Sequence, residues 1–198
     1  MDVTCLTADA ETFTANVYLA RESGRTDAGA TLVDAGAMPG IVEAVTERVS
    51  ALDSVVLTHR HTDHVAELDA IRAAFSPAVS AADPDEGDIG LADGDRVEIG
   101  GDPFEAVATP GHAPDHLAFV GESMVFTGDV VVYSDGAFED GSFGRTDLPD
   151  ADRETLLASL DRLLDRLPST VETMYPGHGP SFEGNVRAVI ERARTRAA

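Results

Sequence analysis

Apolar residues recur along the chain with two periods. Short apolar or alternating runs predict strands at 30–33, 54–58, 97–99, 104–109, 117–120, 124–127 and 170–175. Residues 1–19 read as two further strands around a turn near 8–11, the second over 13–19. Helical spacing appears in four places. Ile41, Val42, Val45, Val49 and Leu52 share one face of a helix over 39–52 that opens on a proline. Residues 68–75 form a second helix. Leu156, Leu157, Leu160, Leu163, Leu164 and Leu167 form a third, stopped by Pro168, and 186–193 form the last. Polar segments punctuate these elements: a hairpin tip at 23–29, an acidic surface loop at 83–95 and a long Gly/Asp-rich loop at 134–150 of the kind that lines sites. Strands come in an early and a late run, each followed by helices. That order predicts an α/β layered fold with mostly antiparallel pairing and helices outside. No repeat or linker interrupts it, so residues 1–198 read as a single domain.

Charge narrows the function. The chain carries 36 acidic residues against 14 basic ones, a net charge of −22. Such a surface has no basic face to neutralise phosphates, which excludes non-specific nucleic-acid binding and argues against docking to anionic membranes. Every basic residue is arginine. An acid-rich, lysine-free composition predicts a halophilic protein, because concentrated salt screens so large a self-repulsion. The lone Cys5 permits no internal disulfide, the first ten residues lack the pattern of a signal peptide, and no run reaches the length of a membrane span. A reducing, cytoplasmic location is the expectation.

The chemistry concentrates in His59-Arg60-His61-Thr62-Asp63-His64, directly after a predicted strand. Imidazole and carboxylate are ligands for zinc and similar first-row metals, and a tight loop at a strand end can aim alternate side chains at one point. Three more ligand-type residues repeat the arrangement of strand, glycine turn and ligand: His112 in TPGH, Asp129 in FTGD and His178 in PGHG. Seven such residues exceed the four ligands of one zinc and suit two ions that share a carboxylate. Two ions can hold a hydroxide between them at neutral pH, a nucleophile for a carbonyl or phosphoryl centre.

These motifs resemble the metallo-β-lactamase-fold superfamily, and within it the glyoxalase II-like (hydroxyacylglutathione hydrolase-like) thioester hydrolases. The matching stretches are 59–64, 109–112, 126–129, Gly144-Arg145-Thr146-Asp147 and 176–179, with Leu32-Val33-Asp34-Ala35-Gly36 as an early structural motif. The resemblance implies an αβ/βα sandwich: two mixed β-sheets packed face to face, with helices outside. It implies that His59, His61 and His112 hold a first metal, that Asp63, His64 and His178 hold a second, and that Asp129 bridges. Two Zn2+ are expected, with Fe or Mn as substitutes at either site. Ala66-Glu67 stands where family members commonly carry two glycines, and Asp115 where many carry a glycine, before His116. His116 reads as a supporting residue. The chain resembles the single-domain branch, and glutathione specificity is not carried over.

The expected activity is hydrolysis of a small-molecule thioester by a metal-bridging hydroxide. Asp63 and Asp129 are the catalytic carboxylates. Arg145 is a candidate for an anionic substrate group, weighed against a salt bridge to Asp147. Tyr133 and Phe143 are candidates for the acyl pocket. The alternative is a mononuclear iron persulfide dioxygenase of the same fold, whose metal would map to His59, His112 and Asp129. The hydrolase-like PGHG context of His178 favours the hydrolase.

Overall fold

Two six-stranded sheets, each mixing parallel and antiparallel pairs, and the helices that cover them make up the α/β architecture of this computed structural model, which describes residues 1–24, 29–82, 88–134 and 140–198. Parts of the three expected loops, at 25–28, 83–87 and 135–139, lie outside the described residues. By contacts the chain divides into two units: residues 1–91 with 97–103, and residues 92–96 with 104–198.

In the first unit, β1 (Asp2–Cys5), β2 (Tyr18–Arg21), β3 (Thr31–Val33), β4 (Ser54–Val56), β5 (Ala78–Ala81) and β6 (Ile89–Gly90) are neighbours in that order. β1–β2 and β2–β3 are antiparallel; β3–β4, β4–β5 and β5–β6 are parallel. Helices α1 (Ile41–Thr46) and α3 (Leu68–Phe75) supply Ile41, Val45, Leu68 and Ile71 to a core with Leu19, Leu32, Val55 and Val79. Leu32-Val33 and Val55-Val56, all buried, suit β3 and β4 to central positions in the sheet, where they pair in parallel. A four-residue helix, α2 (Thr62–Val65), lies between β4 and α3.

The second sheet runs β12 (Phe182–Glu183), β11 (Thr173–Pro176), β10 (Met124–Gly128), β9 (Leu117–Val120), β8 (Asp102–Ala108) and β7 (Arg96–Ile99). β10–β11 is parallel, while β8–β9, β9–β10 and β11–β12 are antiparallel. Helices α4 (Arg153–Arg166) and α5 (Val186–Ala197) pack Leu156, Leu160, Leu163, Val189 and Ile190 against Val107, Ala118 and Val125. The side chain of Asp152 accepts the Thr155 N–H at 2.6 Å and starts α4 earlier than its leucines alone indicate. Among the described residues, no helix is long and apolar enough to cross a membrane.

Several expected elements change. Among the pairs described, five are antiparallel and four parallel, so both sheets are mixed; the parallel ones did not show, because apolar period reports burial and not the direction of a neighbour. The strand expected over 13–19 begins only at Tyr18. Before it, hydroxyls capture the backbone: Thr7 Oγ1 donates to Ala15 O and accepts from Val17 N, and Thr14 Oγ1 accepts from Ala37 N. The helix expected over 39–52 stops at Thr46, yet Val49 and Leu52 stay buried in the chain that follows. The loop expected across 59–64 turns helical at Thr62. β5, β6 and β12 are additions, too short or too small in side chain to show a period.

Candidate metal centre

In the first unit, a single carboxylate organises the histidines. Asp34 follows β3 in the left-handed conformation (φ 62) and is buried at 2% exposure. Aspartate is among the few residues that visit that backbone region, and here its side chain is held by Thr58 and His64. Its Oδ1 accepts the Thr58 N–H at 2.7 Å, and its Oδ2 accepts the Thr58 hydroxyl and His64 Nδ1–H, each at 2.8 Å. Two tautomers follow. With Nδ1 protonated, neutral His64 presents Nε2 as a lone pair, 3.9 Å from Asp63 Oδ2. The Thr58 hydroxyl, its proton given to Asp34, faces His59 Nδ1 at 3.1 Å as an acceptor. His59 Nε2 is thereby the lone-pair nitrogen, and it lies 3.1 Å from His61 Nδ1.

Local structure holds these groups together. His61 stands at the N-cap position of α2, and Asp63 and His64 lie in its single turn. The His64 carbonyl accepts from both Ala35 N and Gly36 N at 2.8 Å, and the Asp63 carbonyl from Ala15 N at 3.1 Å. The main chain of this turn is therefore anchored to the Asp34 motif and to the 13–17 segment. His59 and His64 are buried; His61 and Asp63 are half-buried.

In the second unit, three ligand-type side chains follow the ends of β8, β10 and β11. His112 Nε2 and His178 Nε2 lie 3.3 Å and 3.5 Å from the same oxygen, Asp129 Oδ2. All three residues are buried. His112 Nδ1 donates to the Arg145 carbonyl at 2.8 Å, which leaves its Nε2 facing the Asp129 carboxylate. Ring nitrogens and a carboxylate oxygen converging in a buried place are a donor set that suits a metal ion. Ligand atoms about 2.1 Å from a tetrahedral ion stand about 3.4 Å apart, and both separations match. The donor chemistry and spacing in each unit therefore fit metal ligation. Nδ1 bonds to a carboxylate or a carbonyl, as His64 and His112 make here, are of the kind that orients histidines which ligate a metal.

The Gly144-Arg145-Thr146-Asp147 stretch supports this group through its main chain. Gly144 N–H donates to Asp129 O at 2.7 Å, and a Cβ on Gly144 would sit 2.6 Å from that oxygen and 2.7 Å from His112 Nδ1. Only glycine fits there. The Arg145 side chain is exposed and paired with Asp147 through two bonds of 2.8 and 2.9 Å. That pairing raises the guanidinium pKa and holds the Asp147 carboxyl below its ordinary value. Tyr133 packs on Phe182 with ring centroids 4.9 Å apart, and Phe143 lies beneath the Arg153 guanidinium, both against the core of the second unit. Tyr133 N–H also donates to His178 O at 3.3 Å. Sequence pattern alone did not point to Asp34 as the tautomer-setting group or to the main chain at 144–145. An aspartate at a strand end before a glycine turn was the available signal for the first.

Comparison with known proteins agrees. The family model described as the Metallo-beta-lactamase superfamily matches residues 10–90 and 77–178. A protein of Streptococcus pyogenes named "Probable metallo-hydrolase" is 30% identical, covering 78% of this chain and 76% of its own. A "Hydroxyacylglutathione hydrolase" of Ruegeria pomeroyi is 40% identical over 52% of this chain, which spans only 44% of that relative. The crystal structure of ETHE1 from Myxococcus xanthus superposes with a TM-score of 0.78 at 26% identity, covering 100% of this chain and 85% of that one. Fold, motifs and family model together show that the chain belongs to the metallo-beta-lactamase superfamily.

Proposed function

We propose that the chain is a two-metal hydrolase that cleaves a thioester of a small thiol, as glyoxalase II does. The observation that carries this reading is the complete second ligand group. Asp63, His64 and His178 are present in addition to the residues a single ion would take, and the His64 tautomer is set for ligation by Asp34. In this assignment His59, His61 and His112 hold one ion, Asp63, His64 and His178 hold the other, and Asp129 is shared. The likeness to hydroxyacylglutathione hydrolase supports the substrate class. Zinc is the proposed metal, with iron or manganese also compatible with His/Asp donors.

The bound ions would supply Lewis-acid polarisation of the thioester carbonyl and a water acidified toward neutral pH. The chain's own contributions are positional and protonic. Asp129, held at its carbonyl by Gly144, keeps its carboxylate fixed between His112 and His178. Asp63 is the carboxylate placed to take up a proton. The leaving thiolate needs little acid assistance, since free thiols ionise near pH 8.5. We place the protein in a reducing, cytoplasmic and salt-rich setting, with a small-molecule substrate and neither nucleic acid nor membrane as partner.

The likeness to ETHE1 favours a second reading, an iron persulfide dioxygenase whose metal takes His59, His112 and Asp129. Metal content per chain, measured on protein purified without added metal, decides between them when S-lactoyl-thiol hydrolysis is assayed on the same sample. Two ions and thioester cleavage are expected. One iron, oxygen uptake on a persulfide and no thioester cleavage would replace the hydrolase with the dioxygenase.

A further inference from the structure

Asp129 sits at an irregularity. The β10–β11 register shifts between Phe126 and Gly128, and Gly128 then takes the left-handed conformation (φ 47). Such a shift re-aims a side chain at the cost of the regular ladder, so the main-chain groups beyond it need other partners. The Asp129 carbonyl has Gly144 N–H. The Asp129 N–H donates to a side chain, His116 Nε2, at 2.9 Å.

We propose that His116 is a positioning residue for the metal centre, acting as the neutral Nδ1–H tautomer that fixes the main chain of Asp129. Nε2 can accept the Asp129 N–H only while it carries no proton, so the ring's proton is on Nδ1. Nδ1 lies 2.7 Å from Thr109 Oγ1, which receives it. Thr109 N–H donates in turn to the His116 carbonyl at 2.8 Å, tying the two residues together twice. His116 and Thr109 are at 1% and 0% exposure, so water does not substitute for either. The His116 ring also stands edge-on to His112, with centroids 6.3 Å apart at 87°. One uncharged imidazole thus spans the TPGH and FTGD motifs and sets where the Asp129 carboxylate points. Gly144 and His116 hold the residue by its C=O and its N–H. The inference rests on Asp129 being a metal ligand.

The test is Zn2+ affinity, by competition with a chelating indicator, together with the Co2+ absorption spectrum and the melting temperature of the metal-free protein. His116→Phe keeps the ring and removes the acceptor; it should weaken Zn2+ binding about ten- to hundred-fold, the usual effect of losing an orienting partner, and alter the Co2+ bands. His116→Gln offers an oxygen to Asp129 N–H and an amide N–H to Thr109, and should restore most of the affinity. A purely structural role would lower the metal-free melting temperature of both variants without this rescue. Should His116→Phe fail to fold, Thr109→Val must weaken Zn2+ binding in the same direction and Thr109→Ser must restore it. Variants that bind Zn2+ and Co2+ as the wild type does, while the wild type binds both, overturn this inference alone. A wild-type chain that binds neither ion overturns the proposed function and this inference with it.

Discussion

His178 is where the two functional readings part. A two-metal hydrolase needs it as a ligand of the second ion, whereas an iron centre on His59, His112 and Asp129 does not. His178→Ala should therefore remove about one ion per chain and abolish thioester cleavage, leaving the melting temperature of the metal-free protein little changed. Retention of both ions and full cleavage would take His178 out of the ligand set; retention of a single tightly held iron with dioxygenase turnover would favour the other reading. The seven ligand-type residues stood out in sequence because they follow strands directly or crowd the short turn and helix after β4, and five of the chain's six histidines fall among them. What orients them was harder to see. Asp34 acts on His64 across thirty positions through a hydrogen bond, and the 144–145 stretch acts through its main chain, which a motif does not display. Tyr133 and Phe143 sit in a segment without periodicity, so no pattern of neighbours indicated which way their rings are buried.

At the scale of elements, α4 is seated on the turn that carries His112. Asp152 N–H donates to Gly111 O at 2.7 Å, and the Ser159 hydroxyl to Pro110 O at 2.6 Å. Gly111 has φ 128, and a Cβ there would lie 2.3 Å from Leu156 N and 2.4 Å from Leu156 Cα. Helix backbone cannot yield as a flexible side chain would. Gly111→Ala should destabilise the protein by more than about 1 kcal/mol and weaken metal binding, read by thermal melting and metal content. Ala158→Gly, at an exposed position of the same helix, should cost about 1 kcal/mol and leave metal content unchanged. A Gly111→Ala protein with wild-type melting and full metal would show that the helix can shift to accept it. The hydrogen bonds from Thr155 hold the Asp152 carboxyl below its ordinary pKa, so this cap persists above that range and is lost as pH falls through the depressed value. The leucine spacing of α4 and the apolar run of β4 announced those elements. The parallel partners of β4 and the two-residue strands β6 and β12 did not show in the same way, because pairing depends on residues far away in sequence.

For the whole molecule, the charge balance sets the conditions under which it is stable. Thirty-six carboxylates face fourteen arginines, and several arginines are engaged with main-chain carbonyls. Arg187 bonds Leu164 O and Leu167 O at the end of α4, Arg162 bonds Ala108 O, and Arg196 bonds Asp140 O. These bonds close helix ends and loops, where unpaired carbonyls accumulate, and a positive charge suits a helix C-terminus. A guanidinium with a fixed fork of donors serves this purpose better than an ammonium. The excess of negative charge still opposes the folded state, since folding brings like charges closer together. Added salt should relieve this. The screening length falls from ~10 Å at 0.1 M to ~3 Å at 1 M, so the melting temperature should climb with NaCl and flatten once screening is short-ranged. Screening depends on ionic strength, whereas strengthened apolar burial responds to sulfate and to uncharged osmolytes. A melting temperature that ignores NaCl but rises with sucrose or sulfate would assign the effect to burial and remove the case for a salt-adapted surface. A rise with NaCl at constant osmolality would place the adaptation in the carboxylate excess itself, and substituting surface Asp or Glu by Asn or Gln should then lower the salt required for a given melting temperature.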